Sequence, residues 1–262
     1  MCCDLLGYYA GVTPTSMTSL LQLAGTLALL LVIAVLVLRL AGVPRRWEAP
    51  VAVLRGGLQL LVLSLILGEV ITSGWWVAVA LLVMFTVAAV TSARRLHFSW
   101  ARLTQIGLAM MAGVLVAVCV VFATGALEFS SRYALALGGI VVGNSMSIAT
   151  LTARRLYIDL HDRWDVVEGW LALGASPRQS NMGIARQAAG EALVPTVDQT
   201  RTVGLVTLPG SFVGAIFGGA SPADAGRFQI VVLTAVITAG AITAVLLIQW
   251  LGKVKQKPAP LS

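Results

Sequence analysis

The chain has 262 residues, of which 58% are hydrophobic and 11% charged, with a formal net charge of +7. Soluble domains carry about 25% charged residues, so this composition excludes an ordinary water-soluble protein and points to one integral membrane domain. The positive charge does not mark a nucleic-acid binder, because it collects beside apolar segments rather than in one patch.

The chain opens with `MCCDLLGYYAGVTPTSM`, which lacks the basic residues of a signal peptide. Residues 1–19 are expected to form a short outer tail, or to reflect an upstream start codon with Met17 as the true beginning. Seven apolar segments of spanning length follow: Leu20–Leu38, Ala49–Ile71, Trp75–Val90, Ile106–Ala126, Tyr133–Leu151, Thr202–Ala220 and Phe228–Leu251. A helix needs roughly 20 apolar residues to cross the hydrocarbon core. No alternating barrel pattern appears. The second segment is interrupted by Arg55, Gly56, Gly57 and Gln59. The expected fold is therefore all-α: a polytopic membrane protein with seven transmembrane helices. One domain is expected over residues 20–251, with a basic cytoplasmic tail at 252–262.

Of the 18 basic residues, all but Arg55, Arg132 and Arg227 fall in connections of one parity or in the C-terminal tail. The positive-inside rule then places the N-terminus outside and the C-terminus in the cytoplasm. The expected location is the plasma (inner) membrane, with anionic lipid as a secondary partner. Trp47, Trp75, Trp76, Trp100 and Trp250 lie near segment ends, as interfacial tryptophans do. Cys2, Cys3 and Cys119 show no metal-cage or disulfide spacing.

The connection between the fifth and sixth segments, residues 152–201, is polar and helix-forming. Its first helix is expected to continue from the fifth segment to about Leu173. Gly174 suits a left-handed cap. Ser176 is a natural N-cap, Pro177 fits the first helical position, and Gln179 completes a capping box. The second helix is expected to end near Leu193, stopped by Pro195, with Met182, Ala185, Ala189, Ala192 and Leu193 on its apolar face. A helix–turn–helix projecting into the cytoplasm results. As a pattern it fits a solvated loop or a docking element for another protein.

Inside the fifth segment, Gly139, Gly143, Ser147 and Thr150 share one stripe, flanked by Asn144 and Met146. The sixth carries Gly204, Thr207, Ser211, Gly214 and Gly218, with Gly210 beside them. Small residues at this spacing let helices approach closely, and packing is the simpler reading of the glycines. Pro209 should bend the sixth helix and free a carbonyl near Leu205. Asn144 must face protein or a wet cavity, because a buried amide needs partners. Met146 is either core filling or a soft metal ligand. Arg55 either snorkels to the interface or pairs with a loop acid. Glu69 and Glu128 are exposed carboxylates or exit-side cation ligands.

No `GxxxxGK[ST]` and no `HExxH` occurs, and His97 and His161 fall in loops. No acid pair lies deep in the seven segments, which weakens proton-coupled transport and intramembrane proteolysis.

`GNSM` (Gly143–Met146), `LALGASPRQ` (Leu171–Gln179), `ALVPTVDQTRTVGLVTLPG` (Ala192–Gly210), `FQIVV` (Phe228–Val232) and the weaker `RGGLQLLVL` (Arg55–Leu63) resemble one family. It is the FetB-like iron-export permeases of ABC transporters, which includes plant aluminium-resistance relatives. The resemblance covers roughly residues 20–250 and is most specific in the `PTVD…VGLV.LPG` block. It implies a permease subunit that is not itself an enzyme, with ATP and Mg held by a separate ABC ATP-binding subunit. It also implies a permease homodimer. Glu168, Gly174, Ala175, Ser176, Pro177 and Arg178 then look like the coupling segment. Asn144, Met146, Ser147, Thr150, Thr207 and Ser211 would line the pathway. Gly139, Gly143, Pro209, Gly210 and Gly214 would serve packing and gating. The family commonly has two methionines after `LPG`; Ser211 and Phe212 stand there in this chain, so a soft-metal site built on those sulfurs would be weakened. The competing expectations are an ABC permease for a sugar nucleotide or lipid, an ATP-independent channel or secondary transporter, and a membrane scaffold.

Overall fold

The structure is a computed structural model that describes residues 17–44, 47–96, 98–254 and 256–258, without the side chains of 17–20 and 67–72. The expected outer tail before Met17, together with Arg45, Arg46, His97, Lys255, the Glu69 side chain and residues 259–262, lies outside what is described. Among the described residues the chain is helical: α1 Met17–Leu40, α2 Glu48–Thr72, α3 Gly74–Arg94, α4 Trp100–Ala123, α5 Ser131–Asp162, α6 Trp164–Ala172, α7 Pro177–Thr202, α8 Gly210–Phe217 and α9 Pro222–Leu251. Six of these helices, α1 to α5 and α9, are long and apolar enough to cross a membrane.

The chain divides into two units, residues 1–68 and 69–262. The first holds α1 and most of α2. α2 is continuous through Arg55, Gly56, Gly57 and Gln59, so these residues do not break the second apolar segment. The apolar windows of α1 and α2 are 0% buried. A helix hydrophobic all round can rest in lipid without a packing partner.

The second unit is built around α9, which packs on α4, α5, α7 and α8. Its upper cluster joins Ala117, Val121, Leu137, Val141, Val232, Val236 and Ala239. Its lower cluster joins Ile106, Met110, Ile148, Leu156, Leu160, Ala185, Leu247 and Leu251. Two glycines set the closest approaches. A methyl on Gly113 would fall on the Ala239 carbonyl and the Thr243 hydroxyl, so α4 and α9 meet nearly backbone to backbone. A methyl on Gly240 would strike the Ile148 side chain of α5. Close backbone contact of this kind replaces the hydrophobic drive that lipid removes.

α7 runs antiparallel to α9. Near its start, both amide hydrogens of Asn181 go to carbonyls that follow α9: Gly252 at 3.0 Å and Val254 at 2.9 Å. Further along, Leu193 lies beside Gly240. At the same end His161 Nδ1 pairs with the Pro258 carbonyl at 2.9 Å.

Three expectations are corrected here. The sixth apolar segment, Thr202–Ala220, is not one helix. α7 ends at Thr202, residues 203–209 form a turn, and α8 is only 8 residues long. Gly204 takes a φ of 83°, and Pro209 is the extended N-cap of α8. A left-handed glycine followed by a proline ends a helix rather than bending it. Gly204, Thr207, Ser211, Gly214 and Gly218 therefore do not share a helical stripe. Second, α7 does not stop before Pro195; the proline sits inside it, exposed. Its ring and missing N–H cost one helical hydrogen bond, which packing of α7 on α5 and α9 outweighs. Third, the helix continuing from the fifth segment is divided at Arg163, whose φ of −114° and ψ of 34° separate α5 from α6.

Candidate functional site: a helical tip and polar groups along the bundle

α6 and α7 meet in a tight turn built from local rules. Gly174 has a φ of 87°. Its N–H donates to the Leu171 carbonyl at 3.0 Å, and the Ala175 N–H donates to Trp170 at 3.0 Å. These two bonds close α6 as a Schellman cap. Ser176 then starts α7. The Gln179 N–H donates to Ser176 Oγ at 3.4 Å, and Gln179 Oε1 accepts from the Ser176 N–H at 2.9 Å. Pro177 fills the first helical position, where no N–H is needed. Cap and box stand back to back, so the tip has a defined shape without burial.

The tip also presents apolar surface. Leu173 is 83% exposed and Trp170 is 53% exposed. With Gly174, Ala175 and Gln179 they line an open pocket of about 440 Å³. Glu168 accepts from Trp164 Nε1 at 2.7 Å within α6. Arg178 is exposed and Ala175 half-buried. The six residues expected for coupling thus sit together on one tip or on the helix leading to it.

The polar residues of α5 do not share one environment. Gly139 is half-buried, with the Met84 side chain of α3 in front of it. Gly143 and Ser147 are exposed, and Ser147 donates back to the Gly143 carbonyl at 3.3 Å. Half-buried Asn144 donates to the Ile140 carbonyl at 2.8 Å, so part of its amide is satisfied within its own helix. Thr150 is buried and lies 3.1 Å from Ser92 Oγ on α3. Both hydroxyls also reach the Met146 carbonyl, at 2.9 Å and 3.3 Å. The Met146 side chain packs against the core.

Ser211, at the start of α8, donates to Gln229 Oε1 on α9 at 2.5 Å. Gln229 is 5% exposed. Thr207, Gly210 and Gly214 are exposed, and among the described residues no side chain fills the space beside either glycine. Ser92, Asn181 and Gln229 were not singled out in the sequence. Each is a hydrogen-bonding side chain within an apolar or alanine-rich face, which is the signal that could have found them.

α7 carries a one-sided polar stripe. Gln187, Glu191, Val194, Asp198 and Arg201 are all exposed and follow one helical face. At its tip-side end Arg163 Nη2 donates to Gln187 Oε1 at 3.0 Å, and Gln187 Nε2 donates to Glu191 Oε1 at 3.1 Å. Arg155 Nε stands 3.6 Å from Glu191 Oε2. At the other end Arg201 and Asp198 pair at 3.3 Å. Among the described residues no group of three His, Cys, Asp or Glu side chains could hold a metal ion.

Comparison with known proteins follows the same outline. Residues 20–254 match the Uncharacterised protein family (UPF0014). The UPF0014 membrane protein STAR2 of Oryza sativa subsp. japonica is 36% identical over 197 residues, covering 74% of this chain and 69% of that protein. Protein ALUMINUM SENSITIVE 3 of Arabidopsis thaliana is 33% identical over 196 residues, covering 74% and 72%. The Probable iron export permease protein FetB of Escherichia coli (strain K12) is 30% identical over 139 residues, covering 53% and 54%. No solved structure is significantly similar. With the family match running from the first apolar helix to the end of the last, this chain belongs to the UPF0014 family of membrane proteins.

Proposed function

We propose that the chain is the membrane permease subunit of an ATP-driven ABC transporter that exports a metal ion, with iron as the leading candidate. ATP, with Mg, is bound and hydrolysed by a separate subunit, and two permease copies assemble with two ATP-binding copies. The observation that carries this reading is the α6–α7 tip. Its rigid caps hold Trp170 and Leu173 exposed beside an open pocket, a shape suited to a partner that inserts nothing and grips the tip from outside. The relative named as a probable iron export permease supports metal export. α7 runs from the tip into the bundle and packs on α5 and α9, and α6 links the tip to the end of α5, so force applied there reaches the packed core.

The test is co-purification of the chain with candidate ABC ATP-binding proteins of its host, followed by uptake of ferrous iron into inverted vesicles. ATP-dependent uptake that stops with Leu173→Asp supports the proposal. Uptake without any ATP-binding subunit would point to a channel or secondary transporter. ATP-driven movement of a lipid or sugar nucleotide with no metal movement would retain the permease and overturn the cargo.

A further inference from the structure

The contacts of α7 fix its depth against α9. Asn181 lies at Gly252, and Leu193 lies at Gly240, where Ile148 of α5 also packs. The stretch 181–193 therefore lies along the stretch 240–252. Asp198 follows Leu193 by about 7.5 Å, which carries it past Gly240 toward the far end of α9. Beyond it, Ser211 meets Gln229. By the same rise Asp198 comes level with about residue 235 and Arg201 with about residue 232, both within the hydrophobic run Phe228–Leu251 of α9, with Arg201 toward its end. Hydropathy alone leaves α7 out of the candidate spans, because charges interrupt it.

We infer that α7 makes the sixth crossing, and that its exposed stripe lines the transport path, with Asp198 as the cargo-binding carboxylate and Arg201 as its resting partner. This inference rests on the reading of the chain as a cation transporter. The side chains of Arg201 and Asp198 are 74% and 57% exposed. Ionised groups at that depth face water or protein rather than hydrocarbon. The chain continues past them as a turn whose Gly204, Leu205 and Val206 carbonyls, among the described residues, accept no backbone hydrogen bond of the turn. Irregular backbone at membrane depth is tolerated where it lines a wet cavity. Following Asp198 along the chain come the Thr202 hydroxyl, which bonds the Asp198 and Gln199 carbonyls, then the turn carbonyls, and then Ser211, whose hydroxyl bonds Gln229 Oε1. Carboxylate, carbonyl and hydroxyl oxygens suit a divalent cation of hard or borderline character. Arg201 Nη1 pairs with Asp198 Oδ1 at 3.3 Å, and a doubly charged ion is the stronger partner for that carboxylate.

Two measurements test this on the full chain. In a background with Cys2, Cys3 and Cys119 replaced by serine, Gln187→Cys, Val194→Cys and Arg201→Cys are treated in oriented vesicles with a membrane-impermeant thiol reagent from either face. The expected result is labelling of position 187 from the tip side, and of 194 and 201 more slowly from that side or from the opposite one. If all three label from the tip side at equal rates, α7 is a solvated loop and the inference falls. It falls equally if 194 and 201 never label, which places them against lipid or protein. The second measurement is ferrous iron transport by the complex with Asp198→Asn and Arg201→Gln. Loss of transport with continued ATP hydrolysis is expected for Asp198→Asn, and a lowered KM for iron with Arg201→Gln. Unimpaired transport by Asp198→Asn overturns the role of Asp198. Failure of the wild-type chain to move metal with ATP counts against the proposed function instead, and leaves the labelling result to decide the course of α7.

Discussion

Thr150 of α5 and Ser92 of α3 place their hydroxyls 3.1 Å apart in a buried position, each also reaching the Met146 carbonyl. The pair joins two apolar helices through the shortest polar side chains available. Interhelical hydrogen bonds in membranes contribute about 0.6 kcal/mol on average. Thr150→Val and Ser92→Ala should each destabilise the second unit by roughly that amount to 1 kcal/mol. Combined, they should cost less than their sum. A double-mutant cycle followed by denaturant unfolding in detergent checks this, and strict additivity would contradict the pairing.

The glycines should separate sharply. Gly113→Ala drives a methyl into the Ala239 carbonyl, whereas Gly143→Ala meets open space. Overpacking costs about 1–3 kcal/mol, so Gly113→Ala should lower the melting temperature clearly. Gly143→Ala should leave it unchanged or raise it slightly, because alanine favours helix. Thermal unfolding of both variants in one detergent decides the matter.

At the tip, Gly174→Ala forces a side chain into a φ of 87°, at a cost of about 1–2 kcal/mol. Ser176→Ala removes the cap oxygen and should cost about 1 kcal/mol. Both changes should raise protease cleavage between α6 and α7 before any loss of the bundle. Leu173→Asp, on a residue 83% exposed, should leave stability intact and weaken only the association with the proposed ATP-binding subunit. Unaltered association would show that the tip is not the grip.

Asn181 is 0% exposed and holds two carbonyls at once. Asn181→Leu would leave both without donors, at about 1–3 kcal/mol for a buried unsatisfied group. Hydrogen exchange should then rise at the end of α9 and in residues 252–254, with the upper cluster around Val141 unaffected. A uniform rise across the unit would instead indicate a general loss of packing.

Local chemistry was legible in the sequence; long-range partners were not. Gly174, Ser176, Pro177 and Gln179 fall where their spacing put them, because caps are made by neighbours within four residues. The stripe through Gly139 and Gly143 was also visible, but spacing does not say what stands opposite. Gly113 and Gly240, which set the closest approaches, owe that role to residues far away in the chain. The sixth segment misled for a physical reason. A hydropathy sum counts the leucines and valines of 203–217 without registering a left-handed Gly204 or the break at Pro209. The same sum assigned α7 to solvent, although Asn181 and Leu193 bind it along α9.

The position of α7 between α5 and α9 has a consequence for biogenesis. α1 carries no charge between Met17 and Leu38, and α2 carries Arg55 as the one charged residue within Ala49–Leu67, so both are apolar enough to enter the bilayer as they emerge from the ribosome. α7 carries Arg186, Glu191, Asp198 and Arg201, each costing about 3 kcal/mol at a bilayer centre. Its partner α9 is translated after it. On the course inferred for α7, the segment waits at the membrane surface until α9 is made, and the last helix of the chain draws it in. A nascent chain arrested before Leu251 would then hold Asp198 on the tip side of the membrane, and the completed chain would not.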